Sequence, residues 1–237
     1  MAGNPSPLNV VGVGASAGGV EALKSFTAAL PKSLPCAVLV ALHIPPGAPS
    51  VLARILNRAG PLAAETATAG TPIEHGKIYV AAPIHHLLAD DGRMALSEGP
   101  TENGHRPAIN ALFRSIALAH GHRAIGVLLS GVLDDGVVGL AARRSRGGAT
   151  IAQSPTDVML PAMPNNTINA GMVEQQAPAA RIGDLPGEGQ TVVPARRPGP
   201  PRHLERPLRG TGPRGLTRDL GARPAVDPRR RCAGGRP

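Results

Sequence analysis

The order of elements in this sequence predicts an α/β fold, a doubly wound and mainly parallel sheet with helices on both faces. Three observations carry that expectation. Short, largely apolar runs recur at Leu8–Val13, Ala37–Leu42 and Ala124–Leu129, as in strands buried on both faces. Segments with helical spacing lie between such runs. The residues best suited to chemistry come just after the runs, where loops leave the carboxyl edge of a parallel sheet.

Each element has its own justification. Val20–Leu30 places Val20, Leu23, Phe26, Ala29 and Leu30 at helical spacing and stops before Pro31. Ala37–Leu42, bounded by Pro35 and Pro45, reads as a central parallel strand, and Val51–Ala59 as a helix. Gly76–Ala82 reads as a shorter strand. His86–Ala89 and Met94–Ser97 read as two more, around the turn Asp90-Asp91-Gly92. Ala108–His120 is a helix with Ile109, Leu112, Phe113 and Ile116 on one face. Ala124–Leu129 is a third buried strand, Gly136–Arg146 a helix closed by Gly147-Gly148, and Ala149–Gln153 a further strand. Together these imply a Rossmann-like three-layer architecture.

Composition narrows the function classes. With no Trp, one Tyr and two Phe, the core must be built from aliphatic residues. Residues 1–180 carry 12 basic and 11 acidic side chains, whereas residues 181–237 carry 13 and 5. Of the net charge of +9, +8 therefore belongs to the C-terminal segment, and no nucleic-acid partner is expected for the domain. Residues 181–237 also hold ten Pro and ten Gly and show no sustained period, so they are expected to be a disordered Arg/Pro/Gly-rich tail. The expected organisation is an N-terminal extension over 1–7, a catalytic domain over 8–180 and the tail over 181–237. Cys36 and Cys232 alone make neither a disulfide framework nor a zinc set. No run is long enough for membrane insertion, and the N-terminus lacks a signal pattern. A cytoplasmic location is expected, with no cofactor and no metal.

Gly14-Ala15-Ser16-Ala17-Gly18 fits G-x-S-x-G between a strand and a helix, the setting of a nucleophile elbow. The same glycines, with Gly12 and Gly19, equally resemble a phosphate-binding loop, and this segment alone does not separate the two readings. His43 shifts the balance. A dinucleotide-binding unit ends its second strand in an acid that holds ribose, but here Ala37–Leu42 ends in His43. A histidine one strand from a serine can serve as its general base. Asp134-Asp135-Gly136 follows the third buried strand. One acid there can orient an imidazole and the other can cap a helix, and spacing does not say which. His85-His86, after Pro83, could edge a pocket, but adjacent residues of a strand point to opposite faces; His75, His105, His120 and His122 are scattered, and no catalytic role is expected for any of the six.

The sequence from Val11 to Leu23, with Leu42-His43-Ile44-Pro45, Tyr79-Val80-Ala81-Ala82-Pro83, His105-Arg106-Pro107, Leu129-Ser130-Gly131, Asp135-Gly136, Gly147-Gly148, Thr150-Ile151-Ala152-Gln153, Met163-Pro164 and Ala170-Gly171, resembles the catalytic domain of CheB-type protein-glutamate methylesterases. The resemblance implies a serine hydrolase with Ser16 as nucleophile, His43 as general base and acid, and Asp135 as orienting carboxylate. It also implies an oxyanion-hole N–H near Val132. The implied substrates are methyl esters on glutamates of methyl-accepting chemotaxis receptors or related methylated proteins, with deamidation of receptor glutamines as a further activity. A separate response regulator is a further implied partner, because only about eight residues precede the first strand and the family's usual receiver domain is not expected. The family's loop before the aspartate is often Gly-Met-Gly-x-Asp-Gly. Here it is Gly131-Val132-Leu133-Asp134-Asp135-Gly136, and Leu133 restricts the backbone where glycine would not.

Three other readings remain open at this level. One is a scaffold relative in a sensory pathway with the fold but no activity. Another is a nucleotide-binding domain that uses the glycine loop. The third is an esterase of the same triad acting on a different ester or amide.

Overall fold

The computed structural model describes residues 9–45, 47 and 50–183. The N-terminal extension and all but the first three residues of the expected tail, Cys232 included, lie outside the described residues.

Among the described residues, seven strands form one sheet in which every neighbouring pair is parallel. They are β1 (Val10–Ala15), β2 (Ala37–Leu42), β3 (Ala63–Thr66), β4 (Lys77–Val80), β7 (Ala124–Leu128), β8 (Thr150–Gln153) and β9 (Gln175–Ala177). The spatial order is β3-β4-β2-β1-β7-β8-β9. β5 (His86–Asp90) and β6 (Arg93–Ser97) pair antiparallel as a separate hairpin. The helices are α1 (Gly19–Ala28), α2 (Leu52–Ala59), α3 (Ile109–His120), α4 (Val137–Ser145), α5 (Ala162–Asn169) and α6 (Ala179–Ile182). None of the described helices is long and apolar enough to cross a membrane.

Alternation along each strand divides the core in two. Val11, Val13, Val38 and Val40 face Leu23 and Phe26 of α1, Leu56 of α2 and Ile182 of α6. Val10, Leu39, Ala41 and Tyr79 face Ile109, Phe113 and Ile116 of α3, Leu140 of α4 and the hairpin residues Leu87 and Met94. All three aromatic side chains, Phe26, Tyr79 and Phe113, are buried, and aliphatics supply the rest, as the composition requires. Burial also pushes the Cys36 thiol up to about 12, which leaves it an unreactive core residue.

Leu8 lies outside the described residues, and β1 ends two residues later than the apolar run Leu8–Val13 suggests. The reason is packing. Gly12 and Gly14 are strand residues that let α3 lie close on the sheet, and a Cβ on either would run into Ile116 or Ile109. α6 buries Ala179 and Ile182, so the packed structure runs past residue 180. β3 and β9 were not expected. Each is a short edge strand with exposed positions and no long apolar run to mark it.

Candidate active site

The three central strands deliver the three expected residues to one edge of the sheet. In the order β2-β1-β7, His43 follows β2, Ser16 follows β1, and Asp135 lies on the loop after β7. Backbone hydrogen bonds continue past the strand ends and hold these exits together. The His43 N–H donates to Ala15 O at 3.0 Å, and the Ser16 N–H donates to Ser130 O at 2.9 Å. Gly18 then takes a left-handed φ of 73°, and the Gly19 N–H donates to Ser16 O at 2.8 Å, turning the chain into α1. Ser130 Oγ–H donates to Ala17 O at 2.9 Å, which ties this turn to the β7 exit.

Ser16 Oγ and His43 Nδ1 are 3.1 Å apart, and His43 Nε2 and Asp135 Oδ2 are 2.8 Å apart. An ionised carboxylate only accepts, so the imidazole proton sits on Nε2, and Nδ1 is left to accept from the serine hydroxyl. The ring nitrogens thus hold the opposite places from those in the serine-protease triad. The side chains of His43 and Asp135 are only 5% and 1% exposed, so water does not compete for this bond.

Asp135 is held from a second side. The backbone N–H groups of Ile109 and Asn110 donate to its carboxylate at 2.8 and 3.0 Å. α3 has no side-chain cap of its own, and Asp135 takes that place from another segment. Asn110 Oδ1 in return accepts from the N–H groups of Gly136 and Gly139 at 3.0 and 2.7 Å, clamping the starts of α3 and α4 together. Burial works to raise the Asp135 pKa. The hydrogen bonds from His43, Ile109 and Asn110 outweigh it and hold the carboxyl below its ordinary value. Asp134 next to it is exposed, so the structure separates the two acids that spacing alone did not.

His105, given no role from sequence, is in the site. Its ring stacks on that of His43 with centroids 3.7 Å apart and planes 11° from parallel. Burial first, and the neighbouring His43 second, lower its pKa against an opposing pull from Asp135. The loop that carries it is tied down by the ion pair of Arg114 with Glu102 and by Arg106 Nη1 donating to Glu98 O and Gly99 O at 2.6 and 2.8 Å. The motif His105-Arg106-Pro107 was the only sign of this residue in the sequence. His86 is structural: Nε2–H donates to Pro100 O at 2.9 Å, and Nδ1 accepts from the Ala108 N–H at 3.2 Å. His85 lies toward solvent beside Glu98.

Ser16 and His43 open onto a cavity of about 580 Å³, also lined by Ile44, Ile84, Thr101 and His105. The glycine-loop alternative loses its footing here. Gly12 and Gly14 are accounted for by α3, and the Ser16 hydroxyl is engaged by His43. Among the described residues no group of His, Cys, Asp or Glu is placed to hold a metal ion. A hydroxyl, an imidazole and a shielded carboxylate in this relation can deprotonate the hydroxyl as it attacks a carbonyl.

The CheB methylesterase family model matches residues 11–185. A protein-glutamate methylesterase/protein-glutamine glutaminase of Symbiobacterium thermophilum is 36% identical over 183 residues, covering 77% of this chain and 51% of that protein. One of the same name, numbered 3, from Anaeromyxobacter dehalogenans is 40% identical over 177 residues, covering 74% of this chain and 52% of that protein. The chain thus spans about half the length of these relatives. The crystal structure of the Thermotoga maritima CheB methylesterase catalytic domain superposes with a TM-score of 0.73 at 28% identity, covering 76% of this chain and 97% of that one. With its family model matched across both faces of the sheet and the whole Ser16–His43–Asp135 edge, the chain belongs to the CheB methylesterase family.

Proposed function

We propose that this chain is a protein-glutamate methylesterase that uses Ser16 as nucleophile, His43 as general base and acid, and Asp135 as the group that orients and stabilises the imidazole. The observation that carries the reading is the unbroken hydrogen-bonded series from Ser16 Oγ through His43 to Asp135, opening onto one cavity.

The chemistry follows from the placement of protons. His43 Nδ1 takes the Ser16 proton as Oγ attacks the γ-carbonyl of a glutamate methyl ester. The imidazolium then gives that proton to the leaving oxygen, so methanol departs and an acyl-serine remains. Water, deprotonated by the same nitrogen, attacks the acyl group and frees glutamate and Ser16. A glutamine side chain would release ammonia by the same steps. Asp135 stays ionised throughout, balancing the imidazolium. The oxyanion is received by backbone N–H groups of the turn after Ser16 and near Val132. The N–H groups of Ser16 and Gly131 are already engaged, by Ser130 O and Leu160 O.

The substrates we infer are methyl-accepting chemotaxis receptors or related methylated proteins, met in the cytoplasm. The catalytic unit is the packed domain, and residues beyond it are not part of the chemistry. The test is methanol release from a methylated receptor fragment. Wild-type protein is expected to release methanol and Ser16→Ala to release none above background. Equal release by the two would end this reading.

A further inference from the structure

Among the described residues, four non-glycine positions take a left-handed φ: Ile84 at 58°, Asp91 at 42°, Asn103 at 50° and Leu133 at 67°. Two have a local explanation. Asp91 and Asn103 each precede a glycine of positive φ at the tip of an antiparallel pair, Asp90 with Arg93 and Glu102 with His105. Asp and Asn suit such turns. Ile84 is the third residue of the turn Ala82–His85, closed by the His85 N–H donating to Ala82 O at 3.3 Å, and Leu133 O accepts from Asn166 Nδ2 at 2.7 Å, but neither side chain suits a left-handed backbone as Asp and Asn do. A β-branched residue at positive φ is an outlier, and Leu133 is only slightly less constrained. The fold does not offset the strain by burying them, since Ile84 is 49% and Leu133 56% exposed.

Both residues belong to loops of the reaction site. Ile84 lines the same cavity as Ser16 and His43. Leu133 lies on a segment that starts at Gly131, where a Cβ would come within 2.8 Å of Ser16 Cβ, and ends at Asp135, bonded to His43. The sheet order β4-β2-β1-β7 sets the loops in a row: Ile84 after β4, His43 after β2, Ser16 after β1, Leu133 after β7. The two aliphatic residues therefore bracket the reacting pair, on strands three spacings or roughly 14 Å apart. Strain kept at a reaction site, on apolar side chains that the fold leaves open, calls for another surface to cover them.

We propose that Ile84 and Leu133 are specificity-determining residues. They grip apolar side chains of the substrate protein on either side of the reacting glutamate. This rests on the hydrolase reading above and adds the kind of segment it accepts. The preferred substrate carries aliphatic residues flanking the ester, and a small ester, which has no flanking residues, gains less from Ile84 and Leu133 than the protein does.

The experiment compares kcat/KM for a methylated receptor fragment and for p-nitrophenyl acetate in wild type, Ile84→Asn, Leu133→Asn and the double variant, with melting temperatures alongside. Asparagine tolerates the left-handed backbone, so the variants are expected to melt no lower than wild type. The ratio of protein to small-ester kcat/KM is expected to fall about tenfold in the double variant, carried by KM and equal to about 1.4 kcal/mol. An unchanged ratio overturns the proposal and leaves the hydrolase reading standing. So does a parallel loss on both substrates, or a lowered melting temperature, because either assigns these side chains to the chemistry or to the fold. Wild-type protein inactive on both substrates overturns the hydrolase reading as well.

Discussion

His105 lies flat on His43, with ring centroids 3.7 Å apart and planes 11° from parallel. The stack restricts rotation of an imidazole that must face Ser16 with one nitrogen and Asp135 with the other. His105→Ala is expected to lower kcat, up to about 10²-fold for a misplaced catalytic group. His105→Phe keeps a flat partner and is expected to recover most of the loss. Steady-state kinetics of the pair decides the matter. If phenylalanine is no better than alanine, His105 acts through its nitrogens and not through its face.

Asp135 has two duties, which two substitutions separate. Asp135→Asn keeps an oxygen to cap α3 but loses the charge and the pairing that hold the working tautomer of His43. Turnover is expected to fall on the order of 10⁴-fold, as in the serine-protease triad, with the fold retained. Asp135→Ala also strips the cap from Ile109 and Asn110 and is expected to cost a further 1–2 kcal/mol or about that in urea unfolding. Asp134→Asn, at an exposed position, is expected to change little. The reverse ranking of the two asparagine variants would contradict this assignment.

Because the folded pKa of Asp135 is depressed, its contribution to stability has a definite sign with pH. It is fully present above the unfolded carboxylate value of about 3.9 and is lost as pH falls through the lower folded value. Stability measured against pH should therefore fall on the acid side in wild type. Asp135→Asn should show a shallower fall. Identical acid limbs would mean that the carboxylate is not held as the geometry indicates.

Gly14 is set by contact with Ile109, at the start of the helix that Asp135 caps. Gly14→Ala must push α3 away from the sheet and is expected to destabilise by about 1–3 kcal/mol, as overpacking does. It should also reduce turnover, because α3 carries the N–H groups that hold Asp135. Unchanged stability would show that α3 is not seated on β1 as described.

The proposed domain ends near Gly183, just after α6. Truncation there is expected to leave melting temperature and turnover near their full-length values. Truncation after Gln153 removes buried Met163, Ala179 and Ile182 and is expected to unfold the protein. Limited trypsin digestion should leave a stable fragment of roughly 180 residues. Unfolding of the chain cut after Gly183 would place the boundary further on.

The parts of this fold that the sequence displays are those with a one-dimensional signature. Ala37–Leu42 is apolar throughout because both faces are covered, and its bounds match the observed strand. Ser16 and His43 were legible because each directly follows such a strand. What stayed hidden depends on partners distant in the chain. The stacking of His105 on His43 is made by a loop 62 residues away. The family resemblance pointed to Asp135 over Asp134, but its hold by N–H groups on α3 was not visible in the sequence, nor was the packing of Gly12 and Gly14 against α3. β3 and β9 take their place from pairing at the sheet edges, not from apolar content of their own.

The most direct test of the account is the site of covalent capture by a serine-directed fluorophosphonate, read by peptide mass spectrometry. The adduct is expected on Ser16 alone, absent in Ser16→Ala and formed much more slowly in Asp135→Asn. An adduct on another serine, or equal labelling of wild type and Ser16→Ala, would contradict the claim that the series from Ser16 through His43 to Asp135 is the reaction centre.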